Sequence, residues 1–89
     1  PFGMGNLRPV FRTGPVKIIG EIRHLKKGHL AMTVSQGGQR FRAVAWRGIE
    51  HKAMFEKHRE SLQLAFSVVQ NYYRGQSSLE IEIVDAKGN

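Results

Sequence analysis

Tyr72 and Tyr73 stand side by side in a polar stretch, Asn71-Tyr72-Tyr73-Arg74-Gly75, with a guanidinium directly after them. Rings set among polar neighbours are poorly placed for a core. An exposed ring can stack on an unpaired base, which contributes about 1 to 3 kcal/mol per base. At least one of the two tyrosines is expected to face solvent, with Arg74 beside it. A second set of side chains suits the other half of such a ligand. Lys17, Arg23, Lys26, Lys27, Arg40, Arg42 and Arg47, with Arg8 and Arg12, place nine of the 14 lysines and arginines before Gly48, against the single acid Glu21, a balance of +8. The rest of the chain carries five basic and six acidic side chains, a balance of −1. Charge confined to one half of a chain builds a one-sided positive field, the kind that a phosphate backbone feels.

Other chemistries find no support in the residues. The chain has no cysteine, so neither a disulfide nor a thiolate metal site is available. His51 and His58 lie near one helix face, but no third donor sits at a suitable spacing, and with His24 and His29 they read as surface residues. Glu80 and Glu82 alternate along a strand and read as a solvated acidic stripe, not an acid–base pair. Gly3, Gly5 and Gly14 lack the Gly-Lys-Ser/Thr ending of a P-loop and the strand and helix of a dinucleotide site. No catalytic residue, metal ligand or cofactor is therefore assigned to this chain.

The elements that must position the basic and aromatic side chains alternate in period. Val16 to Leu25 reads as a strand with Val16, Ile18 and Ile22 on one side, and Gly20 gives it a place to bend. Lys26-Lys27-Gly28 reads as a tight turn. Leu30, Met32 and Val34 mark a second strand. Gly37-Gly38, between Gln36 and Gln39, suits a two-residue hairpin because both central positions of a type I′ turn need positive φ. In the third strand, Arg40 to Trp46, either Phe41, Ala43 and Ala45 or Val44 and Trp46 face the core. The second set is favoured, and the other face becomes binding surface. Ile49 to Glu60 reads as one short helix with Ile49, Ala53 and Met54 on one face. Leu62 to Gln70 and Leu79 to Ile83 return to alternation, with Asn71 to Ser78 between them, and Phe11, Phe55 and Phe66 are left to packing. Residues 1–15 read as an extended arm from a preceding domain and residues 16–89 as the folded domain. The start at Pro1, without an initiator Met, reads as a fragment of something larger.

Three strands, a helix and two strands make an all-β chain. The expected architecture is a five-stranded, all-antiparallel Greek-key barrel of the OB-fold type with one short helix between strands three and four. At 89 residues the chain holds one apolar core. No apolar run approaches the ~18 residues of a membrane span and no secretory signal is evident, so a cytoplasmic monomer without membrane contact is expected. An OB-fold binds oligonucleotides on its second and third strands and two flanking loops. Strands one to three carry the basic set here, while the acids gather on the helix and last strand, the expected back of the barrel.

Pro1-Phe2-Gly3-Met4-Gly5-Asn6, followed by Arg8-Pro9-Val10-Phe11, resembles the Pro-Phe-Gly-x-Gly-Asn-Pro-x-Pro-x-Phe segment of the RecJ family of single-stranded-DNA-specific exonucleases, of the DHH superfamily. In that family the segment leads into an OB domain. Asn71-Tyr72-Tyr73-Arg74-Gly75 with Ser78-Leu79-Glu80-Ile81 and Asp85 is similar to the closing hairpin of that domain, and Ala43-Val44-Ala45-Trp46 before a short helix also resembles it. The likeness runs over nearly the whole chain, with Leu7 where the family usually has proline. The family's nuclease chemistry sits in a separate domain with an Asp-His-His motif and divalent metals, and no Asp-His-His occurs here. The resemblance thus implies an accessory domain of a 5′-to-3′ exonuclease of DNA repair and recombination. Its partners would be single-stranded DNA and the catalytic domains of the parent chain, which alone would hold metal. A protein-docking module packed against those domains, and an RNA-binding OB domain, are the alternative readings.

Overall fold

The alternating runs form five strands, β1 (Phe11–His24), β2 (Leu30–Gln36), β3 (Gln39–Ala45), β4 (Leu62–Tyr73) and β5 (Gln76–Gly88), in a computed structural model that describes residues 8–89. They close into a barrel in the order β1-β2-β3-β5-β4, with β4 paired back onto β1. A one-turn helix, Lys26–Gly28, joins β1 to β2, and another, Gly48–His51, leads into α1 (Lys52–Lys57) between β3 and β4. This is the OB-fold barrel with its short helix. The pairing is not all antiparallel, however. β3 and β5 run parallel through Arg42↔Glu80, Ala43↔Ile81 and Val44↔Glu82. An odd number of strands cannot alternate in direction all the way round a closed ring, so one neighbouring pair must be parallel.

β1 bends at Gly20, where φ is +73° and the register with β2 shifts between Ile19 and Arg23. Gly37 and Gly38 have φ of 59° and 82°, and their turn sets Gln36 opposite Gln39, as a type I′ hairpin requires. The start of β1 differs from the expected boundary. Phe11, Arg12 and Thr13 belong to the strand and pair with Phe66, Ala65 and Leu64, inside the segment 1–15 read as an arm. Gly14-Pro15 does not end the strand, because the register breaks between Thr13 and Val16 and the proline needs no ladder partner there. Fully buried Ser67 fastens this end by donating its hydroxyl to the Pro9 carbonyl at 3.0 Å. The rest of the expected arm, residues 1–7, lies outside the described residues.

Val16, Ile18 and Ile22 meet Leu30, Met32, Val34, Leu62, Leu64 and Ile83 inside the barrel. The helix adds Phe55, fully buried in the same cluster as Leu30 and Ala45. It is shorter than Ile49 to Glu60, and a different face is buried. Ile49 and Ala53 are exposed and Met54 is half-buried. The first turn is a 3-10 turn with three residues per turn, which rotates the phase of everything after it.

β3 also corrects the expected orientation. Ala43 and Ala45 join the core, whereas Trp46 is 40% exposed, and Val44 is buried on the outer side, opposite Ala31 and Glu82. With Ala43 and Ala45 turned inward, alternation carries Trp46 to the same side as Val44. The chain packs closely where it leaves β3, since a Cβ on Gly48 would lie 2.7 Å from the Ala45 Cβ. The indole packs outside and donates Nε1–H to Glu82 Oε2 at 2.9 Å.

The segment Asn71 to Ser78, expected as a loop, is mostly paired. Asn71↔Ser78, Tyr72↔Ser77 and Tyr73↔Gln76 leave only Arg74-Gly75 as the turn. β1 pairs with β4 as far as Phe66 and β3 pairs with β5 from Glu80 onward, so the distal part of this hairpin is a two-stranded ribbon.

Candidate nucleic-acid interface

Strand register decides which side chains share a surface. Lys17↔Ser35↔Arg40, Ile19↔Thr33↔Arg42 and Arg23↔Ala31↔Val44 form successive cross-strand rows on the outer face of β1-β2-β3. The middle strand supplies only small side chains to these rows. Lys17 and Arg23 stand on one side of it and Arg40 and Arg42 on the other, which makes a shallow trough with cationic walls. Lys26 and Lys27, in the β1–β2 turn, and Arg47, after β3, are exposed beyond the end of the trough where Leu30 pairs with Ala45. Arg47 donates its backbone N–H to His29 Nδ1 at 2.7 Å, and the His29 ring packs edge-on to Trp46 with centroids 4.6 Å apart. His29 is therefore a half-buried brace and not a surface residue.

Glu80 and Glu82 do not form a solvated stripe at the back. Their side chains are only 17% exposed. Glu80 Oε2 lies 3.1 Å from Arg42 Nε and accepts a hydrogen bond from Asn71 Nδ2 at 2.7 Å. Glu82 pairs with Arg8 and accepts the Trp46 indole N–H. The reason is the parallel β3–β5 pair, which sets the acidic last strand beside the basic third strand. Lys17 is also partnered, with Nζ 3.2 Å from Glu60 Oε1. Among the described residues Arg23, Lys26, Lys27, Arg40 and Arg47 form no ion pair.

Both tyrosines face solvent, at 74% exposure for Tyr72 and 71% for Tyr73. Period two puts them on opposite faces of the ribbon. Tyr73 shares the outer face with Asn71 and Glu80, and the Arg74 guanidinium lies 5.2 Å from its ring centroid. Tyr72 follows Phe66 and Val68 on the face that continues the barrel interior. This second face, where Phe41, Val68 and Leu79 line an apolar cleft, is not among the surfaces expected from the sequence. Its signal is the alternation of Leu64, Phe66 and Val68 running on to Tyr72, opposite Leu79 and Ile81. Lys27, Arg47 and Arg74 have φ of 64°, 57° and 51°, the left-handed backbone that favours glycine or asparagine. All three are cations of the candidate set.

A family model described as the RecJ OB domain matches residues 1–85. The chain belongs to the RecJ OB domain family. A crystal structure of RecJ in complex with Mg2+, from Thermus thermophilus, matches with a TM-score of 0.59 and 26% identity. The match covers 100% of this RecJ OB domain and 13% of the Thermus chain. No curated protein matches. Among the described residues of the RecJ OB domain, no three histidine or acidic side chains gather as metal ligands, and no helix is long and apolar enough to cross a membrane.

Proposed function

We propose that this RecJ OB domain is the accessory single-stranded-DNA-binding part of a RecJ-like 5′-to-3′ exonuclease, holding the strand beside catalytic domains carried elsewhere in the parent chain. The observation that carries this reading is the trough, in which Thr33 and Ser35 of β2 lie between Lys17 and Arg23 on one side and Arg40 and Arg42 on the other. A sugar–phosphate backbone laid along β2 meets cations on both sides. Lys26, Lys27 and Arg47 extend the charge past one end, and Tyr73 with Arg74 offers a ring on which an unpaired base stacks. Bases in a duplex are already stacked, so the ring favours a single strand. The left-handed cations support the same reading. Each costs about 1 kcal/mol or more that glycine would avoid, and strained backbone of this kind collects at functional sites.

Fluorescence anisotropy with a labelled oligonucleotide at rising salt tests the proposal. With about four phosphates neutralised, log K falls against log salt with a slope of roughly −3. Binding that ignores salt, or that prefers duplex to single strand, would sink the reading.

A further inference from the structure

The two ends of the β2–β3 hairpin meet different surroundings. At the end marked by Leu30 and Ala45, α1 sets Phe55 into the core. At the end marked by Gly37-Gly38, a cleft of about 280 Å³ opens among Phe41, Phe66, Val68 and Leu79, with Thr13 and Gln36 at its rim. Phe41, Val68 and Leu79 are 36%, 39% and 59% exposed. A contiguous apolar surface left open on a small domain marks a contact site.

We infer that this cleft receives one unstacked nucleobase of the bound strand, an inference that rests on the proposed function above. A base has apolar faces and polar edges. The cleft offers carbon walls that include the Phe41 ring, and Tyr72 continues the same face of the ribbon. At the rim, the Gln36 side chain is held by its Nε2–H donated to Thr13 Oγ1 at 2.9 Å, which leaves its carbonyl oxygen to accept from the edge of a base. Charge is compatible with the same occupant. Glu80, the acid that lines the cleft, is occupied by Arg42 and Asn71, and Arg40, on the trough face next to Phe41 in β3, lies before the first β3–β5 pair and forms no ion pair among the described residues. A phosphate flanking an inserted base answers Arg40, at the end of the trough that holds Gly37-Gly38. The ribbon joins the two sites, because Tyr73 stands on the trough side and Tyr72 on the cleft side.

The test places 2-aminopurine in turn at each position of a short single-stranded oligonucleotide and reads its fluorescence with the wild-type chain, Leu79→Gln and Phe41→Ala. Leu79 is largely exposed, so Leu79→Gln leaves the core intact if Phe41→Ala loosens it. The expected result is a fluorescence change at one position, lost in both variants. Affinity falls about tenfold while the salt slope stays at the wild-type value, since a base contact and no phosphate contact has been removed. Wild-type affinity and an unchanged signal in Leu79→Gln would overturn the inference while leaving strand binding in the trough intact. Unchanged strand binding with loss of association to the rest of the parent chain would overturn it too, by assigning the cleft to a protein contact. If the wild-type chain binds no single strand at all, the proposed function falls, and the base pocket with it.

Discussion

Arg42 and Glu80 face each other across the parallel β3–β5 pair, with Nε and Oε2 3.1 Å apart. A guanidinium held by a carboxylate is less available to a phosphate than its neighbour Arg40, which has no such partner among the described residues. Glu80→Gln is therefore expected to tighten single-strand binding at low salt and to steepen the salt slope by about 0.7, the value of one further phosphate. Because Arg42 is 46% exposed, stability moves by less than about 1 kcal/mol. Arg40→Glu weakens binding more than Arg42→Glu does. Identical salt slopes for the wild-type chain and Glu80→Gln would remove Arg42 from the interface.

Arg74-Gly75 turns the ribbon with φ of 51° and 78°, the type I′ geometry in which asparagine is the preferred first residue. Arg74→Asn should raise stability by up to about 1 kcal/mol in urea denaturation, since a strained residue gives way to one that tolerates the left-handed region. Oligonucleotide affinity should fall several-fold in the same variant. A variant that gains stability and keeps its affinity would show that Arg74 does not contact the strand.

Phe55 is fully buried and is the part of α1 that enters the core cluster. Phe55→Ala is expected to cost about 3 to 5 kcal/mol, a large share of the roughly 5 to 15 kcal/mol available to a domain. Thermal unfolding followed by circular dichroism measures it directly. A loss below about 1 kcal/mol would mean that the helix is an ornament on a barrel that closes without it.

Much of this architecture is legible in local pattern. Val16 and Ile18, Met32 and Val34, and Leu62 and Leu64 alternate with Lys17, Thr33 and Gln63, which keep contact with solvent on the other side, and Gly37-Gly38 announces its turn because only glycine accepts positive φ without cost. β3 is ambiguous in sequence for a physical reason. Ala43, Val44 and Ala45 are all buried, two of them in the core cluster and one on the outer side, so period two vanishes where both faces are covered. The phase of the helix is hidden by the 3-10 turn that precedes it. The ribbon has the local look of a loop because Asn71, Ser77 and Ser78 carry turn-forming side chains while their backbones pair.

The residue string by itself determined the barrel, its family and the presence of nine cations in one half, because these depend on alternation, turn chemistry and composition, all of which are local. Tertiary structure alone decided how that charge is partnered. Parallel pairing of β3 with β5 brought Glu80 to Arg42 and Glu82 to Trp46 and Arg8, residues far apart in sequence, and so turned an expected acidic back into a partner of the basic face. Which of two adjacent tyrosines looks onto the trough and which onto the open cleft was likewise settled by the register of a ribbon, since period two separates neighbours in sequence onto opposite faces.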